Sequence, residues 1–155
     1  MTSEEDFKNA LRKFASGVTV VTVSSESGLH GMTASSFASV SLAPPLILVC
    51  IDKTSRTREL LSERGAFAVN VLAAGQEVVS RGFSRRGEKP FEDSGYAIGK
   101  SGAPLLSGTI AWLECDTHQI FDAGDHEIVI GAVRACSWVD TDPLIYFDGA
   151  YRSLT

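Results

Sequence analysis

Two long runs of apolar and β-favouring residues, 109–121 and 128–139, constrain this chain more than any other feature. Their Thr, Ile, Val, Phe and Trp side chains suit a pleated, half-buried surface, and Asp122-Ala123-Gly124-Asp125 between them is composed like a turn. The pattern predicts a long antiparallel hairpin. Gly124-Asp125-His126 stands at its tip. The turn needs only the Asp-Ala-Gly-Asp composition, so His126 adds something beyond the turn: a residue type that can carry or shed a proton near neutral pH, aimed to one face by strand pleating. Alone, it reads more readily as an ordinary surface or strand-end histidine than as a site residue.

The rest of the chain continues in short extended pieces. Ser3 followed by Asp6 forms a capping pattern, and Phe7, Leu11 and Phe14 fall on one helical face before Gly17, which predicts an opening amphipathic helix. Residues 18–24 are rich in β-branched side chains, 25–28 turn, and 29–33 return as a second strand. A strand over 38–42 is broken by Pro44-Pro45 before the apolar run 46–51. A helix starts near Thr54 or Ser55 and carries Leu60 and Leu61 inward; 66–71 reads as a strand and 75–81 as a short helix. Residues 82–102 dissolve into Gly, Ser, Pro and charge, a stretch long enough in a compact domain to be a functional loop. A last strand, 144–147, precedes the turn Asp148-Gly149. Six to eight strands linked mostly by turns, with two or three short peripheral helices, predict a mainly β fold over one domain, residues 1–155. Its economical form is a closed antiparallel barrel.

With 44% apolar and 21% charged residues the chain is expected to be soluble, and no apolar stretch is long enough to span a bilayer. The acidic start Glu4-Glu5-Asp6 is unlike a secretory signal, so a cytoplasmic location is expected, with no membrane partner. Cys50, Cys115 and Cys136 are odd in number and set in strand-like runs, which predicts buried free thiols and no structural metal. A net charge of −5 argues against nucleic acid as a partner. Yet Lys53, Arg56 and Arg58 cluster, as do Arg81, Arg85, Arg86 and Lys89 around the single acid Glu88. Both clusters suit a small anion; solvated loop charge accounts for them equally well.

Gly31-Met32-Thr33-Ala34-Ser35-Ser36-Phe37 ends a strand with small residues and hydroxyls that leave backbone N–H groups accessible, and Ser39 and Ser41 continue the theme. An ordinary serine-rich connection has the same composition. In Cys50-Ile51-Asp52-Lys53-Thr54-Ser55-Arg56-Thr57 a strand end runs into a helix start, where unpaired N–H donors favour phosphate. No G-x-x-x-x-G-K-[ST] loop, G-x-G-x-x-G turn or G-x-S-x-G elbow is present, and His30 and His118 read as strand or turn residues.

Phe14-Ala15-Ser16-Gly17-Val18, Gly31-Met32-Thr33-Ala34-Ser35-Ser36-Phe37, Ser39-Val40-Ser41, Pro44-Pro45-Leu46, Gly124-Asp125-His126 and Tyr146-Phe147-Asp148-Gly149-Ala150-Tyr151, in this order, resemble the short-chain flavin reductases of two-component monooxygenase systems. The resemblance implies an FMN-binding split β-barrel, a homodimer, and hydride transfer from NADH or NADPH to FMN or FAD, with reduced flavin supplied to a separate monooxygenase. It further implies a flavin lying along Met32, Thr33, Ala34, Ser35 and Ser36 and along Ser39, Val40 and Ser41, flanked by Cys50, Ile51, Asp52 and Lys53. Ser55, with Lys53 or Arg56, would take the phosphate. Phe83, Arg86 and Lys89 would close over the flavin tail or the dinucleotide. Gly124, Asp125 and His126, with Tyr151, would face the nicotinamide, His126 positioning it through the carboxamide. A flavin-retaining oxidase and a non-enzymatic flavin-binding module are the alternatives.

Overall fold

The structure, a computed structural model, describes residues 1–154. Its elements are α1 (Glu4–Leu11), β1 (Ser16–Gly17), β2 (Thr19–Ser25), β3 (Gly28–Ala34), β4 (Phe37–Leu42), β5 (Pro45–Asp52), α2 (Arg56–Arg64), β6 (Ala66–Val71), α3 (Glu77–Ser84), α4 (Phe91–Ser94), β7 (Tyr96–Ile98), β8 (Pro104–Leu106), β9 (Ala111–Ala123), β10 (His126–Trp138), β11 (Ile145–Phe147) and β12 (Ala150–Arg152). Seven strands form one antiparallel sheet in the order β3-β2-β6-β9-β10-β5-β4. β1-β11-β12 and β7-β8 form two smaller sheets. No helix among the described residues is long and apolar enough to cross a membrane.

The order of the large sheet dictates its shape. β3 and β4 are its two edges, yet only Ser35 and Ser36 separate them in sequence. A flat sheet would hold its edge strands roughly 29 Å apart, at about 4.8 Å per gap, whereas the connection from Ala34 to Phe37 reaches at most about 11 Å. The sheet must therefore curl until its edges meet. No ladder joins β3 to β4, although the Cys50 N–H donates to the Ser36 carbonyl at 3.2 Å. The closed barrel expected from the strand count is thus corrected to a split one.

The predicted long hairpin is β9–β10, its arms running closer to the tip than expected and leaving only Gly124-Asp125 between them. Its base pairs with β6 through residues 111–116, and its tip with β5 through His126↔Asp52 to Ala132↔Leu46. Register shifts at Ile130/Gly131 and Val133/Ala135 bend it between these two halves. Gly131 makes the bend possible: a Cβ there would lie 2.7 Å from Phe67 Cζ and 3.0 Å from Cys115 Cβ. Val21, Val49, Ile51, Leu61, Phe67, Val69 and Val129 fill the barrel, and Val20, Leu72, Phe83, Phe91, Leu106 and Leu144 form a second core under α3 and α4. Buried Asn70 is satisfied in full, donating to Val20 O and Thr22 Oγ1 at 3.0 Å each and accepting from the Leu106 N–H at 2.9 Å.

Three expectations need correction. Twelve strands and four helices occur among the described residues, more than predicted, because β1, β7, β8, β12 and α4 are too short to show a period. The stretch 82–102 is not a single loop: Phe91 packs edge-on to Phe83 at 4.9 Å and to Tyr96 at 5.6 Å, ordering α4 and β7. Of the three free thiols, Cys115 is buried and Cys50 half-buried, but Cys136 is exposed on the outer arm of β10. Burial, with Asp116 and Glu114 adding to it, pushes the Cys115 thiol up to about 12. α1 forms as predicted, with Ser3 Oγ accepting from the Asp6 N–H at 3.0 Å, but it buries none of its residues.

Gly131→Val is expected to destabilise the fold by at least about 2 kcal/mol, the scale of overpacking a filled core. A lowered urea midpoint with an unchanged m-value would show it; an unchanged midpoint would mean that the hairpin can bend elsewhere.

Candidate functional site

A groove of about 660 Å³ runs between the free edge of β3, the start of α2 and the end of α3. β3 contributes His30, Met32 and Thr33; the turn into α2 contributes Asp52, Thr54, Ser55, Arg56 and Thr57; α3 and the chain after it contribute Phe83, Ser84, Arg85, Arg86, Gly87 and Lys89. The two basic clusters, far apart in sequence, thus meet at one place, Arg56 from the first and Arg85, Arg86 and Lys89 from the second. Asp52 is the one acid in the lining. The Thr54 hydroxyl and N–H, at 2.7 and 2.8 Å, hold its carboxyl below the usual range, and the charges of His126 and Arg86 lower it further.

The start of α2 is built for an anion. Ser55 Oγ accepts from the Arg58 N–H at 3.2 Å, and the remaining first-turn N–H groups carry the positive end of the helix dipole. Behind them Thr57 is fully buried, and its hydroxyl has no hydrogen-bond partner. An orphaned buried hydroxyl is unfavourable by about 1–3 kcal/mol until it is given a partner. A phosphate held at this helix end would place an acceptor beside it. The residues present therefore fit the phosphate end of a flavin nucleotide.

The cations of the first cluster divide by partner. Lys53 forms an ion pair with Asp122, and its N–H donates to the Asp125 carbonyl at 3.1 Å. Arg58 grips Glu127 with two bonds, at 3.1 and 2.9 Å, and holds that carboxyl below its ordinary range. Lys53 fastens the hairpin tip to the turn before α2 and Arg58 fastens it to the first turn of α2, and neither lines the groove. Arg56 bonds Glu59 at 2.6 Å and Ser27 at 3.2 Å and still faces the groove. Lys89 donates to the carbonyls of Phe83, at 3.2 Å, and of Arg85, closing the C-terminal end of α3. Among the described residues Arg85 and Arg86 form no ion pair.

The other expected residues lie outside the groove lining. Ser36 Oγ donates to the Cys50 carbonyl at 3.0 Å, and Ser35 borders a smaller cavity of about 240 Å³ between α1 and Tyr146. Ser39, Val40 and Ser41 form a bulge on β4, with Val40 exposed. Ala34 and Ile51 belong to the core, while Cys50, on the opposite face of β5 from Ile51 together with the groove-lining Asp52, is half-buried. His126 stands opposite Asp52 in the ladder, its Nδ1 2.7 Å from Asp125 Oδ1, and Gly124 and Asp125 form the turn beside it. Tyr151 sits on the α3 side. It stacks on Tyr146 at 5.3 Å, hydrogen-bonds Ser80 Oγ at 2.6 Å and lies under the Arg81 guanidinium at 5.0 Å. The Thr33 hydroxyl donates to the Ser80 carbonyl at 2.6 Å, tying the same helix to β3. Sequence reasoning missed Thr57, whose place just after the Ser55 cap was the available signal, and His30. No cluster of His, Cys, Asp and Glu among the described residues could hold a metal ion.

Burial, then the charges of Lys89 and Arg56, bring the His30 imidazole down from 6.5 to about 4. It is neutral at neutral pH and can meet an uncharged hydroxyl as donor or acceptor. Between those values the unfolded chain binds a proton that the folded one does not, so His30 makes stability rise with pH across this window. Urea midpoints measured from about pH 4 to about 6.5 should climb less steeply in His30→Gln; identical slopes would place the dependence elsewhere.

The flavin reductase like domain family matches residues 11–155. The chain is similar to the FMN reductase (NADH) SmoA of Agrobacterium fabrum strain C58, 44% identical over 149 residues that cover 96% of this chain and 85% of that protein. It is also similar to the reductase component of the flavin-dependent trigonelline monooxygenase of Acinetobacter baylyi, 42% identical over 147 residues, 94% of this chain and 47% of the longer relative. Among solved structures, BorF, the flavin reductase component of a bacterial two-component tryptophan halogenase, superposes with a TM-score of 0.92 at 42% identity, covering 98% of both chains. A split antiparallel barrel, a phosphate-ready helix end at its open edge and these likenesses converge: the chain belongs to the flavin reductase like domain family.

Proposed function

We propose that this protein is a flavin reductase that passes a hydride from NADH or NADPH to FMN or FAD and releases the reduced flavin to a separate monooxygenase. The observation that carries the reading is the groove, where Arg56, Arg85 and Arg86 meet the first turn of α2 over the orphaned Thr57 hydroxyl. The flavin, when bound, supplies the hydride acceptor. Arg56 and the α2 N–H groups would hold the phosphate, and His30, neutral, would meet hydroxyls of the ribityl chain. The outward backbone groups of β3, an edge strand, are available to the rim of a flat ring, beside Met32 and Thr33. His126 takes a positioning role toward the nicotinamide carboxamide, fixed by Asp125 and by the Lys53 and Arg58 pairs that anchor the hairpin tip. Aligning two rings is the protein's main contribution here, and it calls for no general base.

A homodimer completes this reading. Phe7, Leu11 and Phe14 on and after α1, with Leu42 at the end of β4, form apolar surface that this chain leaves uncovered; Leu42 is 94% exposed. The three unpaired thiols suit a cytoplasmic location.

Purified protein mixed with NADH is expected to oxidise it only when FMN or FAD is added. Turnover without added flavin, from flavin that survives dilution, would favour a retaining oxidase, and no turnover with either flavin would favour a binding module. His126→Ala should lower kcat/KM for NADH by about one to two orders of magnitude while leaving flavin affinity in place. Unchanged NADH kinetics would remove His126 from the site. Sedimentation velocity should give twice the mass of 16.6 kDa, and a monomer would overturn the dimer.

A further inference from the structure

Arg58 belongs to two places at once. Its backbone N–H, capped by Ser55 Oγ at 3.2 Å, is part of the first turn of α2, where Ser55, Arg56 and Thr57 line the groove. Its guanidinium points away from the groove and clamps the Glu127 carboxylate at 3.1 and 2.9 Å. Glu127 is the residue after His126. In the ladder with β5, Glu127 stands opposite the core residue Ile51 and His126 opposite the groove-lining Asp52. The clamp therefore holds β10 from the core side while His126 faces the other way. The other ion pair between the same segments, Lys53 with Asp122, is the looser one. The Asp122 side chain is 79% exposed and meets a single ammonium, whereas that of Glu127 is 13% exposed and is held by a planar fork. The Arg58–Glu127 clamp is the firmer link between the helix end and the hairpin tip.

We infer that Arg58 and Glu127 are positioning residues that make the hairpin tip, and His126 with it, respond to a phosphate group on the first turn of α2. This rests on the reading of the groove as a flavin site. Ser55 Oγ caps one first-turn N–H; an anion engages others, and so fixes the backbone from which the Arg58 side chain extends. A fixed guanidinium narrows the positions open to Glu127, and the planar peptide bond passes that restriction to His126. The nicotinamide then meets a tip already in order and does not have to order it again. Such coupling is reciprocal: a phosphorylated flavin and a nicotinamide dinucleotide strengthen each other's binding by the same factor. The phosphate of FMN or FAD thereby contributes to hydride transfer as well as to affinity, and riboflavin, which has the ring without the phosphate, loses both.

The first readout needs no turnover. Inorganic phosphate added to the flavin-free protein, against chloride at equal ionic strength, is expected to slow amide hydrogen exchange over residues 122–127 about threefold. Glu127→Gln, which removes the carboxylate from the clamp, should abolish that protection. The second readout is single-turnover hydride transfer from NADH, with flavin and NADH both saturating, so that affinity drops out. Wild-type protein should reduce FMN about fivefold faster than riboflavin, and Glu127→Gln should bring the two rates within about twofold. Arg58→Lys, which keeps the charge and one bond, should give an intermediate ratio, and it carries the test alone if Glu127→Gln does not fold. No phosphate protection in the wild type, or protection or an FMN advantage that survives in the variants at full size, overturns the inference. Tighter binding of FMN than of riboflavin by the wild-type protein would then leave the groove reading standing. Equal affinity for the two flavins would overturn that reading as well.

Discussion

The short passage through Ser35 and Ser36 is the constraint on which the rest depends. Two residues join strands at opposite ends of a seven-stranded sheet, and chain connectivity alone then forces the sheet into a barrel. Because the join is covalent and not a ladder, the barrel keeps a free edge along β3. α2 and α3 flank that edge without filling it, and the space they leave is the groove. Backbone groups, a helix end and cations all reach the same volume as a consequence of one topological fact.

Within that volume, pairing decides which charges are available. The chain is acidic overall, and several acids close to the groove are held in ion pairs. Asp122 and Glu127, on the hairpin tip, engage Lys53 and Arg58; Glu77 engages Arg81. What remains for a ligand is Arg56, already braced by Glu59, and the unpaired Arg85 and Arg86. Exposed ion pairs contribute little to stability, about 0–1 kcal/mol each, so here their larger effect is to orient the hairpin tip and to thin out the local positive field.

Much of this was legible in the sequence. The long hairpin, the Ser55 cap and the strand run 46–51 each carry a local signal, and the six ordered motifs carried the family. What was not legible is what depends on long-range placement. Nothing in Arg56 or Arg85 announces that they share a groove, and Thr57 becomes notable only when burial leaves its hydroxyl without a partner. Pleating explains why Ile51 falls in the core while its neighbours Cys50 and Asp52 do not: a listing of consecutive residues cannot all face a ligand from one strand. The aromatic contacts of Phe91 order a segment whose composition reads as loop, since three rings in contact outweigh the local preference of the residues around them.

The free edge of β3 has one more consequence. An uncovered strand edge is a template on which another chain can add a strand, the first step of sheet-to-sheet aggregation. Here α3 leans over that edge through the Thr33–Ser80 bond, and the space left is wide enough for a small molecule yet walled by side chains that a pleated backbone would have to displace. At the other margin, the bulge at Ser39–Ser41 interrupts the regular spacing that an incoming strand would need. The opening in the barrel thus leaves room for a small molecule while discouraging growth of the sheet.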